Sequence, residues 1–188
     1  MRIHVTWIGE GVEPTALVEE VVAHIGREFG QPAAIWRAAG RPEGSLDAKR
    51  QQHSSRVLLA WLVGTLHDTT TKLIGNTDVD LFIPVLTFVF GEAQLGGRAA
   101  VVSTARLREP TGVPVLRSRL LKETVHELGH TFGLVHCASP ACVMARSASS
   151  VAVDVKSDRL CGDCRVRFHE LLKECAYVPV HSENSDRR

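Results

Sequence analysis

Polar and apolar positions alternate at the start of the chain. Ile3, Val5 and Trp7 stand against polar neighbours, the period-two signature of a half-buried strand. Pro14 then suits a first helical turn, and Leu17, Val18, Val21, Val22, Ile25 and Phe29 follow at helical spacing up to a closing Gly30. Ala33 to Trp36 reads as a short second strand. The turn-rich stretch Gly40 to Ser45 leads to a helix with Val57, Leu58, Trp61 and Leu62 on its apolar face. Lys72 to Ile83 reads as extended chain, with a bulge or bend expected at Gly75-Asn76. Thr87 to Phe90 and Arg98 to Thr104 are expected strands, with Gln94 to Gly97 as the loop between them.

Pro110, Gly112 and Pro114 punctuate the chain before a third helix, whose apolar positions are Leu116, Leu120, Val125 and Leu128. The pattern fades after Gly133, returns in a last helix from about Arg165 to Glu174, and ends in a polar tail, 181–188. Early alternation of strands and helices predicts an α/β protein with a mixed, twisted sheet. At 188 residues the chain is expected to form one domain, 1–180, with a sheet-and-helix part to about 133 and a C-terminal part from 134 to 180.

Charge narrows the function classes. A formal net charge of +1 gives no broad basic surface, so no nucleic-acid partner is expected. The N-terminus lacks the apolar run of a signal peptide, and no stretch approaches the roughly 20 apolar residues of a membrane span. The expected location is therefore cytoplasmic, with no membrane partner. In a reducing compartment, clustered cysteines are more often metal ligands or redox groups than structural disulfides.

The chemistry lies between residues 126 and 164. In His126-Glu127-Leu-Gly-His130, two histidines four apart on a helix share one face and can reach one metal ion. Glu127 is not a ligand but can lean towards a water at that metal, as a general base must. Catalytic zinc usually takes three protein ligands. Gly133 can adopt the left-handed conformation that ends a helix, turning the chain so that His136 returns as the third. The full five-residue pattern is expected by chance in roughly one such chain in 10⁴, whereas the bare His-Glu-x-x-His core also occurs on ordinary amphipathic helices. His4, His24, His53, His67, His169 and His181 read as surface or satisfied core residues.

Cys137, Cys142, Cys161 and Cys164 supply two pairs of thiols, which suits a closed tetrahedral zinc, with an iron–sulfur cluster or disulfides as alternatives. Cys175 is left over and reads as a buried thiol.

The run H-E-x-x-H-x-x-G-x-x-H resembles the metzincin zinc motif. With Cys137, Cys142, Met144, Cys161 and Cys164 in place, it closely resembles the archaemetzincin family. Phe88 to Ala93 and Ser103 to Leu107 are similar to that family less diagnostically. The resemblance implies a metzincin-like zinc metalloprotease with Glu127 as base and His126, His130 and His136 as catalytic ligands. It also implies a structural zinc on the four cysteines, hence two ions, and a supporting turn around Met144 beneath the metal. Peptides or proteins are the implied substrates, laid along an edge strand for which Thr87 to Ala93 is the local candidate. Two other readings stay open: a zinc aminopeptidase or other amide hydrolase, and a non-catalytic zinc-stabilised binding module.

Overall fold

The computed structural model describes residues 1–9, 14–37, 40–108 and 113–176. Pro110, Gly112 and the tail 181–188 lie outside the described residues. The opening alternation becomes strand β1 (Arg2–Ile8), whose Ile3 and Val5 enter one core while Ile8 enters another on the opposite face. The same division runs along β5 (Thr71–Thr77), with Ile74 and Leu73 on opposite faces. It recurs on β8 (Ala99–Ser103), where Ala100 and Val102 oppose Ala99 and Val101. These central strands are apolar on both faces because helices cover both.

With β2 (Ala33–Ile35) and β7 (Gly91–Ala93) the sheet has five strands in the order β2-β1-β5-β8-β7. All pairings are parallel except β7 with β8, so the sheet is mixed and β7 forms one edge. A second, three-stranded sheet joins β3 (Leu46–Asp47), β4 (Gln52–Ser54) and β6 (Leu81–Phe82).

Helix α1 (Thr15–Phe29) follows Pro14 and buries Val18, Val21, Ile25 and Phe29. Gly30, at φ 58°, closes it in the left-handed conformation that a side chain would resist. Helix α3 (Val113–Thr131) packs beside α1 on the same face of the sheet, against β5, β7 and β8. Helix α2 (Ser55–Gly64) covers the other face with Leu58, Leu59 and Leu62. The short α4 (Ser150–Val155) had no signal in the apolar pattern. It is held to α3 by Arg119, which forks onto the Asp154 carboxylate at 2.6 and 2.7 Å, and by Lys122, which donates to the carbonyls of Val153 and Asp154. The last helix, α5 (Gly162–Ala176), begins three residues earlier than the apolar spacing predicts. Phe29 of α1, Phe132 just past α3 and Phe168 of α5 meet with ring centroids 5.0–5.3 Å apart, tying α5 to the end of α3.

Two expectations fail. Gly75-Asn76 is no bulge: Thr6 pairs with Gly75 and Trp7 with Asn76 in unbroken register. Thr87 to Phe90 is no strand; it makes one bridge, Val89 to Leu81, and the strand begins at Gly91. Its aromatic and branched residues are there to fill space. Phe88 and Phe90 pack against one core and Val89 against the other, without a continuous partner strand.

The glycine at 75 reflects crowding. A Cβ there would stand 2.4 Å from Ile8 Cδ1 and 3.2 Å from Leu62 Cδ1. Gly75→Ala is expected to destabilise the fold by about 1–3 kcal/mol, measured by urea denaturation; an unchanged midpoint would show that this packing yields freely.

Candidate active site and metal centres

His126, Glu127 and His130 lie on the last two turns of α3. The helix then stops abruptly. Gly133 takes φ 95°, the Leu134 N–H donates to the Gly129 carbonyl at 3.1 Å, and the Gly133 N–H donates to the His130 carbonyl at 2.9 Å. This pair of bonds satisfies carbonyls that the helix end would otherwise leave bare. The reversal brings His136 back beside the other two rings, with centroids 5.3 Å from His126 and 4.9 Å from His130. One nitrogen of each histidine lies within 4.8 Å of the others.

The ring orientations are set from behind. His126 Nδ1 is 2.8 Å from the Val143 carbonyl, and His130 Nδ1 is 2.7 Å from the Leu134 carbonyl. A carbonyl can only accept, so both Nδ1 atoms carry the proton and both Nε2 lone pairs face the shared space. Those Nε2 atoms are 3.2 Å apart. Imidazole nitrogens at about 2.0–2.1 Å from one tetrahedral zinc would stand about 3.3 Å apart, so the donor set fits such an ion. Burial lowers the pKa of all three histidines, that of His126 well below the ordinary imidazole value. They therefore stay neutral, as ligands must, on further acidification than free imidazole would allow.

Glu127 is buried beside them. Burial first, and then the neighbouring Glu123 carboxylate, hold its pKa well above the usual carboxylate range in the chain alone. Glu123 lies one turn earlier on α3 and pairs with Lys156 at 2.7 Å, both side chains being under 5% exposed. Lys156 also donates to the Ala145 carbonyl at 3.1 Å. This pair ties α3 to the turn containing Met144, and nothing in the sequence pattern marked either residue.

Met144 is fully buried, and a Cβ at Gly129 would stand 2.6 Å from its sulfur. The thioether thus lies directly against the helix between the two motif histidines. The four motif cysteines form a second cluster, their Sγ atoms all within 4.8 Å. Cys137 and Cys161 are 3.9 Å apart and Cys142 and Cys164 3.7 Å, far from the roughly 2.05 Å of a disulfide. They match the spacing of about 3.8 Å expected of thiolates around one zinc. Backbone N–H groups of Met144 and Cys161 donate to Cys142 Sγ. The backbone N–H of Cys164 favours the Cys161 thiolate, whereas burial pushes the Cys142 and Cys164 thiols up, a cost that a cation among them would offset. Cys175 lies on α5, but its side chain is outside the described residues. Of the other histidines, His24 bonds the Asp158 carbonyl and His53 bonds Ser45. Neither belongs to the two metal-ligating groups found among the described residues.

His126 and His136 open on a cavity of about 480 Å³. It is lined by Leu86 to Gly91, by Glu123, His126 and Glu127 of α3, and by His136, Arg146, Ser147 and Ala148 beyond it. No helix among the described residues is long and apolar enough to cross a membrane.

Residues 18–170 match the profile of peptidase family M54. The archaemetzincin of Methanopyrus kandleri is 39% identical over 159 residues, covering 85% of this chain and 90% of that protein. The chain belongs to the archaemetzincins, peptidase family M54. It is thus a metallopeptidase. The archaemetzincin of Methanocaldococcus jannaschii is 36% identical, with 90% of this chain and 94% of that one aligned. The crystal structure of the M. kandleri archaemetzincin superposes with a TM-score of 0.83 at 36% identity, over 92% of this chain and 96% of that one. A structure described as a zinc-dependent peptidase, from Methanocorpusculum labreanum, gives 0.79 at 27% identity over 88% and 99%.

Gly91, at the head of the edge strand, is one residue whose role the pattern missed. A Cβ there would meet Glu127 Cγ at 2.6 Å and the Val101 carbonyl at 2.7 Å. Gly91→Ala is expected to displace the Glu127 side chain and lower kcat/KM by about tenfold to a hundredfold with metal content retained; wild-type kinetics would show that the carboxylate has room elsewhere.

Proposed function

We propose that this archaemetzincin is a zinc-dependent peptidase that cleaves peptide bonds in the cavity beside the three histidines. The observation that carries the reading is the convergence of three neutral imidazoles beside a buried carboxylate, in a cleft bordered by a sheet edge. His126, His130 and His136 would hold the catalytic zinc, and the described zinc-dependent relative supports that choice of metal. When bound, the ion lowers the pKa of water to about 7 and polarises a carbonyl oxygen. Glu127 takes the proton of the attacking water and passes it to the departing amine. In the chain alone its pKa is raised, chiefly by burial, and a doubly charged ion beside it would oppose that shift.

Cys137, Cys142, Cys161 and Cys164 would hold a second, structural zinc. The two pairs join the loop after His136 to α5, and Cys137 N–H donates to the Met144 carbonyl at 2.9 Å, so that ion would steady the floor of the cleft. On this reading residues 1–180 work as one domain, with the 134–180 part secured by its own metal. Four thiols kept as ligands also favour a reducing, cytoplasmic location. The substrate backbone would lie along β7, adding a strand to the edge at Gly91–Ala93.

Metal analysis of the purified protein is expected to give about two zinc ions per chain, falling to about one in His130→Ala and also in Cys161→Ser. Only the cysteine variant should lose several degrees of Tm, because its ion braces the fold. Equal metal content in all three proteins would refute both sites. Glu127→Gln is expected to keep its zinc yet lose at least about 10²-fold in kcat, followed by mass spectrometry of peptide products. Cleavage at the wild-type rate would remove Glu127 from the mechanism.

A further inference from the structure

Arg146 is the one charged group lining the catalytic cavity to which the mechanism above gives no task. The remaining charges there have assignments: Glu123 is answered by Lys156 at 2.7 Å, and Glu127 is the base. Elsewhere, Arg106, Arg119 and Arg165 are paired with the carboxylates of Asp80, Asp154 and Glu28. Among the described residues no carboxylate pairs with Arg146. Arg146 is an exposed residue that lines the cavity together with His136, whose ring feels its positive charge.

The backbone beneath it is fixed. Met144 is fully buried, the Ala145 N–H donates to the Cys142 carbonyl at 2.9 Å, and the Ala145 carbonyl accepts from Lys156. Arg146 therefore projects from a turn whose backbone is clamped. A divalent ion on three neutral imidazoles would keep its full charge, Glu127 would subtract one and Arg146 would add one. A cleft so charged attracts a carboxylate, and a guanidinium can grip both oxygens of one at once.

We infer that Arg146 is a specificity-determining residue that binds a substrate carboxylate close to the scissile bond, so that peptides bearing Asp, Glu or a free C-terminus there are preferred. This rests on the reading of the cavity as a peptidase site, and it names the substrate class that site would favour.

The test uses zinc-loaded full-length protein and synthetic peptides in which Glu is exchanged for Gln at each position in turn, with free or amidated C-termini. Wild type is expected to favour Glu over Gln by about tenfold in kcat/KM at one position near the cut. In Arg146→Gln that ratio should fall to near one, and in Arg146→Glu it should fall below one. A dependence on the free terminus instead of the side chain would identify the carboxylate as the chain end. The preference should also shrink with added salt, since the arginine is exposed. Equal Glu/Gln ratios in wild type and Arg146→Gln would overturn the inference. Binding of the same peptides to zinc-loaded Glu127→Gln, with and without Arg146→Gln, reads carboxylate recognition apart from turnover. If wild type cleaves nothing, the peptidase reading fails by itself. A Glu/Gln difference in affinity that vanishes with Arg146 would then still sustain the carboxylate site, and the lack of one would end it.

Discussion

The structure depends on α3 ending immediately after His130. One more helical turn would carry residue 136 away from the other two imidazoles along the axis, since a helix advances about 1.5 Å per residue. The left-handed Gly133, with the bonds to the carbonyls of Gly129 and His130, makes that ending sharp and leaves its polar groups satisfied. Conformation at one residue thus decides whether the histidines form a site or only a pattern.

Around that ending, separate parts of the chain hold the helix terminus in place. Lys72, from the central strand β5, donates to the carbonyls of Thr131 and Gly97, and the Gly96 N–H donates to the His130 carbonyl. The loop between β7 and β8 is thereby fastened to the histidine-bearing turn. On the opposite side, the buried Lys156–Glu123 pair and the seat of Met144 on Gly129 fasten the turn below. Buried ion pairs add little net stability, but breaking one leaves a stranded charge, so the pair fixes geometry more than it strengthens the fold. The histidine-bearing turn is thereby tied both to the sheet and to the turn beneath it.

Much of this was legible in the residues. The helical spacing of α1, the glycine that closes it, the strand at 99–103 and the His-Glu-x-x-His helix all follow local rules of periodicity and capping. The expected strand at Thr87 to Phe90 and the bulge at Gly75 failed for a shared reason. Aromatic content and a mid-strand glycine each have two causes, ladder pairing or packing, and periodicity does not distinguish them. At 88–90 the side chains fill two cores, and at 75 the missing Cβ makes room for Ile8. Gly91 was unreadable on the same ground, because what it avoids is Glu127, 36 positions away.

The sequence by itself determined the candidate site: three histidines, one carboxylate and four cysteines at spacings that only a few geometries satisfy, on a helix whose register places two of the histidines on one face. Those are local facts, fixed by rise per residue and by the dihedral freedom of glycine. The tertiary structure alone decided which groups stand behind the histidines, which of two buried carboxylates is paired with a lysine, and which charge lines the cleft without a carboxylate partner. Such relations join residues tens of positions apart, and they arise from how close packing brings distant segments together, which no spacing along the chain encodes.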